Sequence, residues 1–170
     1  MSLDILFHQA KNAYESRDFI KAIQIYSEII EIDNQNVEAY YQRCLSYYHL
    51  NDKHKALEDA EKCVTLEPDN PFRYSCRAYI KESLGQTRQA IADYKIAIEL
   101  DPEDAVAYNN LGLLEEKLGY EKMAEQHFKK ADELGEKYFP VNEQEKQKAR
   151  EVREKLNGHS RSQSPQSEEE

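Results

Sequence analysis

The chain repeats itself every 34 residues. Alanine recurs at this spacing in one column, made of Ala22, Ala56, Ala90 and Ala124. Other columns keep the same register: Tyr40, Tyr74 and Tyr108; Ile32, Leu66, Leu100 and Leu134; Pro68 and Pro102. A fixed period of this size is typical of stacked copies of one small unit, because each copy is too small to bury a core alone. The period therefore predicts a linear array of repeats.

Each unit is predicted to be two amphipathic helices. Apolar residues recur at helical spacing, as in Tyr26, Ile29 and Ile30, and the strict alternation of a half-buried strand is missing. A column of small residues lies where two helices of a unit must cross closely, which leaves no room for a larger side chain. We therefore expect replacement of Ala56 by leucine to cost about 1–3 kcal/mol through overpacking.

Residues that terminate helices occur where the chain must turn. Gly85 and Gly119 end the first helix of the third and fourth units, because glycine adopts left-handed backbone geometry without strain. Asn51 holds that place in the second unit, and Arg17, a weaker match, holds it in the first. Between units a proline stops one helix and an Asp or Asn caps the next, in Glu67-Pro68-Asp69-Asn70 and Asp101-Pro102-Glu103-Asp104.

This helix-pair pattern resembles the tetratricopeptide repeat. The fourth unit carries the aromatic, Leu, Gly, Ala, aromatic and Ala of that family at Tyr108, Leu111, Gly112, Ala124, Phe128 and Ala131. The second unit departs from the family pattern with Cys44 and Cys63 at small-residue positions and Ala60 at an aromatic one, and the first has Leu6 in place of the early aromatic. The resemblance implies an all-α fold, a right-handed α-solenoid of four antiparallel helix pairs over residues 3–36, 37–70, 71–104 and 105–138.

The period ends after Gly135, and two further segments follow. Residues 140–156 contain a thin apolar stripe, Ala149, Val152 and Leu156, which predicts a capping helix that covers the last repeat with one face. Residues 157–170 contain no apolar side chain and are predicted to be a disordered tail.

Composition argues against several classes of partner and several cellular locations. The net charge is −10 and no basic stripe exists, so nucleic acid is not an expected partner. No stretch is apolar enough to span a membrane, and the first ten residues do not have the pattern of a signal peptide. Cys44 and Cys63 occupy small buried register positions, so we interpret them as core thiols, typical of a reducing, cytoplasmic location.

The sequence contains no signature of catalysis. Gly-rich phosphate loops, nucleophile elbows and zinc-protease motifs are missing, and the five histidines have no metal-ligand spacing. We therefore expect no enzyme activity, no cofactor and no metal. The paired carboxylates Glu115-Glu116 and the charge run Glu58-Asp59 are interpreted as solvent-exposed helix surface.

The family resemblance implies that the first helix of each unit lines a concave groove. Eleven residues are candidates for binding a peptide there: Phe7, Lys11, Tyr14, Tyr41, Leu45, Tyr48, Phe72, Tyr79, Asn109, Asn110 and Leu113. Tyrosine suits such a face because it combines apolar area with a hydroxyl group. Two alternatives remain open. Tyr48 and Tyr79 could serve only to pack one repeat on the next, and Asn109 and Asn110 could stabilise the repeats themselves without binding a ligand.

Some members of this family hold the acidic C-terminus of a chaperone with a clamp of Lys, Asn, Asn, Lys and Arg. The corresponding residues here are Phe7, Lys11, Gln42, Phe72 and Cys76, none of which matches. A neutral or basic segment with apolar anchors suits this groove better. The sequence thus predicts a protein-interaction adaptor that binds a peptide of another protein; the alternative is a self-assembling structural module whose apolar face packs on another copy.

Overall fold

A computed structural model describes residues 2–138 and 151, and within them the regular structure is helical. Eight helices are present in that part of the chain: α1 Leu3–Glu15, α2 Phe19–Ile32, α3 Val37–His49, α4 Lys53–Leu66, α5 Pro71–Ser83, α6 Thr87–Leu100, α7 Ala105–Lys117 and α8 Glu121–Tyr138. The predicted all-α fold is therefore confirmed. The expected capping helix, 140–156, and the expected tail, 157–170, lie outside the described residues, except that Glu151 is helical.

The chain forms two compact units, Met1–Ala131 and Asp132–Glu170. In the first unit each helix from α1 to α6 packs against the next one along the chain, both within a pair (α1 with α2) and between pairs (α2 with α3). This succession is the helical-repeat solenoid that the period predicts. In the second unit the last residues of α8 remain helical and Leu134 is buried.

The turns inside the pairs have the left-handed geometry that the sequence predicts. The backbone angle φ is +62° at Arg17, +61° at Asn51, +76° at Gly85 and +80° at Gly119, four positions spaced 34 residues apart. The same turn is thus built from four different local sequences. Arginine adopts a conformation that glycine would adopt with less strain.

Capping side chains begin the first helices of the later pairs. The oxygen of Asn36 accepts a hydrogen bond from the Ala39 amide at 3.1 Å. The Asp104 carboxylate accepts bonds from two amides of the first turn of α7, at 3.0 and 2.9 Å. Asn70 caps α5 in the same way. The predicted caps that follow Pro68 and Pro102 are therefore confirmed.

The alanine column lies at the centre of the helix pairs. Ala22, Ala56 and Ala90 are completely buried, and Ala124 is nearly so. In the fourth pair a second small residue is needed, because a Cβ atom added to Gly112 would lie 2.7 Å from Cε1 of Phe128. This close approach joins α7 to α8 and explains the glycine at a place where other pairs have alanine or cysteine.

Two carboxylates expected at the surface are buried, so that expectation was wrong. Asp59 and Glu115 are almost inaccessible, whereas their neighbours Glu58 and Glu116 are exposed. Asp59 accepts two hydrogen bonds from Arg43, at 2.9 and 2.8 Å. A buried charge is tolerated when it is paired and hydrogen-bonded, and here the partner comes from another helix.

The cysteines are free thiols. Cys44 and Cys63 are buried, as the register predicts, and Cys76 is partly buried. Burial raises the pKa of the Cys63 thiol to about 12 and that of Cys76 to about 11. These groups remain protonated at neutral pH, so they behave as small apolar side chains.

Candidate peptide-binding face

The first helix of each pair presents one stripe of residues spaced i, i+3, i+7 and i+10. Such residues share one side of a helix because seven residues make about two turns. We call the four stripes together the groove face. They are Asp4, Phe7, Lys11 and Tyr14; Glu38, Tyr41, Leu45 and Tyr48; Phe72, Ser75, Tyr79 and Glu82; Val106, Asn109, Leu113 and Glu116.

Aromatic contacts join the stripes of α3 and α5. The rings of Tyr41 and Phe72 meet edge to face, with centroids 5.3 Å apart. The Tyr48 hydroxyl donates a hydrogen bond of 3.1 Å to the Tyr79 hydroxyl, which raises the pKa of Tyr48 to about 12. Tyr48 and Tyr79 therefore do pack between repeats, although Tyr79 keeps half of its surface exposed.

The exposed large apolar side chains of the groove face lie in the third and fourth pairs. Phe72 is 49% exposed, Tyr79 50%, Leu113 50% and Val106 68%. These four residues lie in two register rows, since Val106 and Leu113 follow Phe72 and Tyr79 by 34 residues. Val106 was not among the sequence candidates, although its register alone would have identified it.

The groove face is different in the first two pairs, where it opens into a pocket of about 430 Å³. Its lining comes from α1, α2 and α3: Phe7, His8, Lys11, Tyr14, Glu15, Tyr26, Glu38 and Gln42. Three sequence candidates, Phe7, Lys11 and Tyr14, thus meet in one cavity. Tyr26 was not among the sequence candidates, because it belongs to a second helix.

The remaining candidates have varied environments. Leu45 and Asn109 are partly buried on their helices. The Asn110 side chain interacts with the buried Tyr94 and lowers its pKa, which favours the structural alternative for this asparagine. Burial is the main cause that raises the pKa of Tyr94 to about 12.

The arginines near the groove face are engaged elsewhere. Arg73 lies 2.7 Å from a Glu67 carboxylate oxygen, and Arg77 lies 2.7 Å from Asp93. The Arg73 guanidinium also covers the Tyr41 ring, 5.2 Å from its centroid. Both guanidinium groups are thus paired with carboxylates of the repeat array itself.

Family models match most of the repeat array. A model described as TPR repeat matches residues 78–119, and models described as tetratricopeptide repeat match residues 37–70 and 105–138. The chain belongs to the tetratricopeptide-repeat family. Tetratricopeptide repeats are scaffolds for protein–protein interaction, and the chain is one such scaffold. No curated protein sequence matches it.

Solved structures of other repeat proteins are similar to this fold. The crystal structure of MamA matches with a TM-score of 0.76 and 25% identity, over 81% of each chain. The first TPR of Spaghetti (RPAP3), bound to the HSP90 peptide SRMEEVD, matches with a TM-score of 0.63 and 23% identity, over 68% of this chain and 91% of that one. The Arabidopsis OM64 TPR domain has a TM-score of 0.61 and 24% identity, over 66% and 93%.

None of the described helices is long and apolar enough to cross a membrane. The same part of the chain holds no group of three or more His, Cys, Asp or Glu side chains arranged for a metal ion.

Proposed function

We propose that this protein is a non-catalytic adaptor that binds a peptide segment of another protein along the groove face. The observation that supports this most is the pair of half-exposed apolar rows, Phe72 with Val106 and Tyr79 with Leu113. Large apolar side chains that stay in water on one continuous face are typical of interaction sites. Aromatic residues at such a face can supply most of the binding free energy.

The ligand is proposed to be neutral or basic, with apolar anchors. The groove face carries four carboxylates, Asp4, Glu38, Glu82 and Glu116, which disfavour an acidic peptide. The clamp positions of acidic-tail binders are filled by residues that include Phe7, Phe72 and Cys76 instead. In an isothermal titration with the peptide SRMEEVD we expect no binding; a micromolar dissociation constant would refute this part of the proposal.

The adaptor proposal is tested with a pull-down from lysate and two matched variants. One variant carries Phe72→Ser, Tyr79→Ser and Leu113→Ser on the groove face. The control carries Ile20→Ser, Ile32→Ser and Leu100→Ser, three exposed apolar residues of the second helices. Circular dichroism first establishes that both fold.

We expect the control to retain the proteins that the wild type captures and the groove variant to lose them. Equal retention by both variants would place binding outside the groove face. Self-assembly remains the alternative, and a wild-type mass that rises with concentration in sedimentation, abolished only in the groove variant, would favour it. We also propose a reducing, cytoplasmic location, supported by the free buried thiols.

A further inference from the structure

The pocket between α1, α2 and α3 has walls of aromatic rings. Phe7 and Tyr26 meet edge to face, with centroids 6.3 Å apart, and Tyr26 itself is 2% exposed. Tyr14 forms another wall. The lining thus combines three π-systems with a cavity of about 430 Å³, which exceeds the volume of one long side chain.

The Tyr14 wall is held in place by contacts outside the pocket. Its hydroxyl lies 3.0 Å from Nε2 of His49. His49 in turn stacks on Phe19, with ring centroids 4.5 Å apart and planes within 9°. A ring fixed in this way loses little conformational freedom when a ligand arrives, which favours binding.

Two carboxylates complete the lining. The Glu38 oxygen accepts a 2.7 Å hydrogen bond from Gln42, which orients the carboxylate. Glu15 lies 3.8 Å from Lys11, but both side chains are mostly exposed, so this ion pair is weak and easily replaced. Burial, followed by the Glu38 charge, raises the pKa of Tyr26 to about 12.

Later repeats do not reproduce this combination. At the next boundary Ala60 takes the place of Tyr26, and Phe72 takes the place of Glu38. At the boundary after that, Ser75 stands where Phe7 does and Val106 where Glu38 does. The aromatic walls and the facing carboxylate therefore coincide only between the first and second pairs of the described array.

We propose that this pocket binds a cationic side chain, an arginine or lysine, of the peptide that occupies the groove face. The aromatic faces of Phe7 and Tyr14 attract a cation through their quadrupoles. Glu38 and Glu15 supply the counter-charge, and Lys11 moves aside. This inference rests on the proposed peptide-binding function and adds to it a specific residue type at one end of the ligand.

The apolar rows of the third and fourth pairs then receive the other end of the peptide. A ligand with a basic residue at one end and bulky apolar residues at the other is bound in one direction only. The reverse orientation would place the cation beside the half-exposed apolar side chains of Phe72 and Val106, away from Glu15 and Glu38.

The test uses a positional library of dodecapeptides, long enough to extend over several repeats, and the full chain. We expect the wild type to select arginine or lysine at one position. The Glu38→Gln variant should lower that preference about threefold, since Glu38 is exposed and the loss of one exposed ion pair has a modest effect. The matched control is Glu116→Gln, an exposed carboxylate on the groove face of the last pair, which should change nothing at this position.

Selection of peptides without any basic preference, or a preference that Glu38→Gln leaves intact, would overturn the inference while the adaptor function survives. If no peptide is selected, the adaptor proposal fails and the pocket is tested alone. N-acetylarginine amide is then titrated into the labelled protein, with N-acetylcitrulline amide as its uncharged counterpart. Saturable amide shifts in α1–α3 with the arginine probe only would support the cation pocket, and their absence would overturn it.

Discussion

The third and fourth helix pairs place an acidic and a basic residue at the same register, but on opposite helices. In the third pair Lys81 of α5 lies 2.8 Å from Asp93 of α6. The equivalent residues 34 positions later are Glu115 of α7 and His127 of α8, which lie 2.6 Å apart. The carboxylate is thus on the second helix in the third pair and on the first helix in the fourth pair. Packing at this place therefore requires complementary partners and does not prescribe which helix carries the negative charge.

The two arrangements differ in how completely the carboxylate is satisfied. Asp93 also accepts hydrogen bonds from Arg77, at 2.8 and 2.7 Å. Glu115 has one oxygen, Oε1, without a hydrogen-bond partner among the described residues, and Lys95 lies 3.8 Å from it. The fourth pair thus depends more heavily on a single contact, the one to His127.

In the first pair the register of Lys81 and Asp93 is filled by apolar residues. Ala13 and Ile25 occupy the same register there, and both are buried. An apolar pair needs no partner for a charge, so the repeat fold tolerates either chemistry. Exchanging these residues between the pairs tests whether the register accepts each chemistry.

The largest effect is expected from Lys81→Glu. This change places a second carboxylate against the buried Asp93 and should lower the free energy of unfolding by about 3–5 kcal/mol. Adding Asp93→His recreates the arrangement of the fourth pair and should recover at least half of the loss. Urea unfolding of the three proteins measures both steps; a double variant no more stable than the single one would show that the register is not interchangeable.

Removal of the histidine in the fourth pair should cost less. His127→Ala leaves Glu115 buried with one distant cation, for a loss of about 2–3 kcal/mol. The double variant Glu115→Leu, His127→Leu copies the apolar solution of the first pair. We expect it to unfold at a higher urea concentration than His127→Ala. If the double variant is the weaker of the two, the apolar solution does not transfer.

Gly112→Ala tests the close contact that distinguishes α7 from α5, where Ala78 holds the same register. The added methyl group would meet the Phe128 ring and should destabilise the fold by about 1–2 kcal/mol, despite the better helix propensity of alanine. Thermal unfolding followed by circular dichroism measures the change. A gain of stability instead would mean that the ring moves away freely.

Arg73→Ala introduces the alanine that the second and fourth pairs have at this register, Ala39 and Ala107. The hydrogen bond from Arg73 is the main cause that lowers the pKa of Glu67. A lowered carboxylate pKa stabilises the fold above the unfolded value, and this stabilisation is lost as the pH falls through the folded value. We expect the variant to be less stable by about 0.5–1 kcal/mol at pH 7, and the gap to narrow as the pH falls through the folded pKa of Glu67. A gap that is the same at both pH values would exclude this ion pair as its cause.

The smallest expected effect is an increase in the free energy of unfolding. Arg17→Gly puts the residue of the third and fourth pairs into the left-handed turn of the first, and should stabilise the chain by about 0.5 kcal/mol. Asn51→Gly should gain less, since asparagine tolerates this geometry. The two melting temperatures relative to the wild type decide the order.

Much of the fold could be predicted from the sequence, because its determinants are local or periodic. The 34-residue spacing, the capping Asn70 and Asp104, and the left-handed turns at Gly85 and Gly119 all act within one unit. Each copy repeats the same packing requirement, so the register of one buried alanine identifies the others. The candidate residues of the groove face came from the family resemblance, which implies that the first helix of each unit lines the groove.

Only the tertiary structure decided the environments of the charged side chains and the shape of the pocket. Asp59 and Glu115 resemble surface carboxylates in the sequence, and they are buried because Arg43 and His127 reach them from other helices. The pocket likewise joins Tyr26 and Glu38, which belong to different repeats. A side chain's solvation depends on what neighbouring helices place beside it, and a helical period describes only one helix at a time.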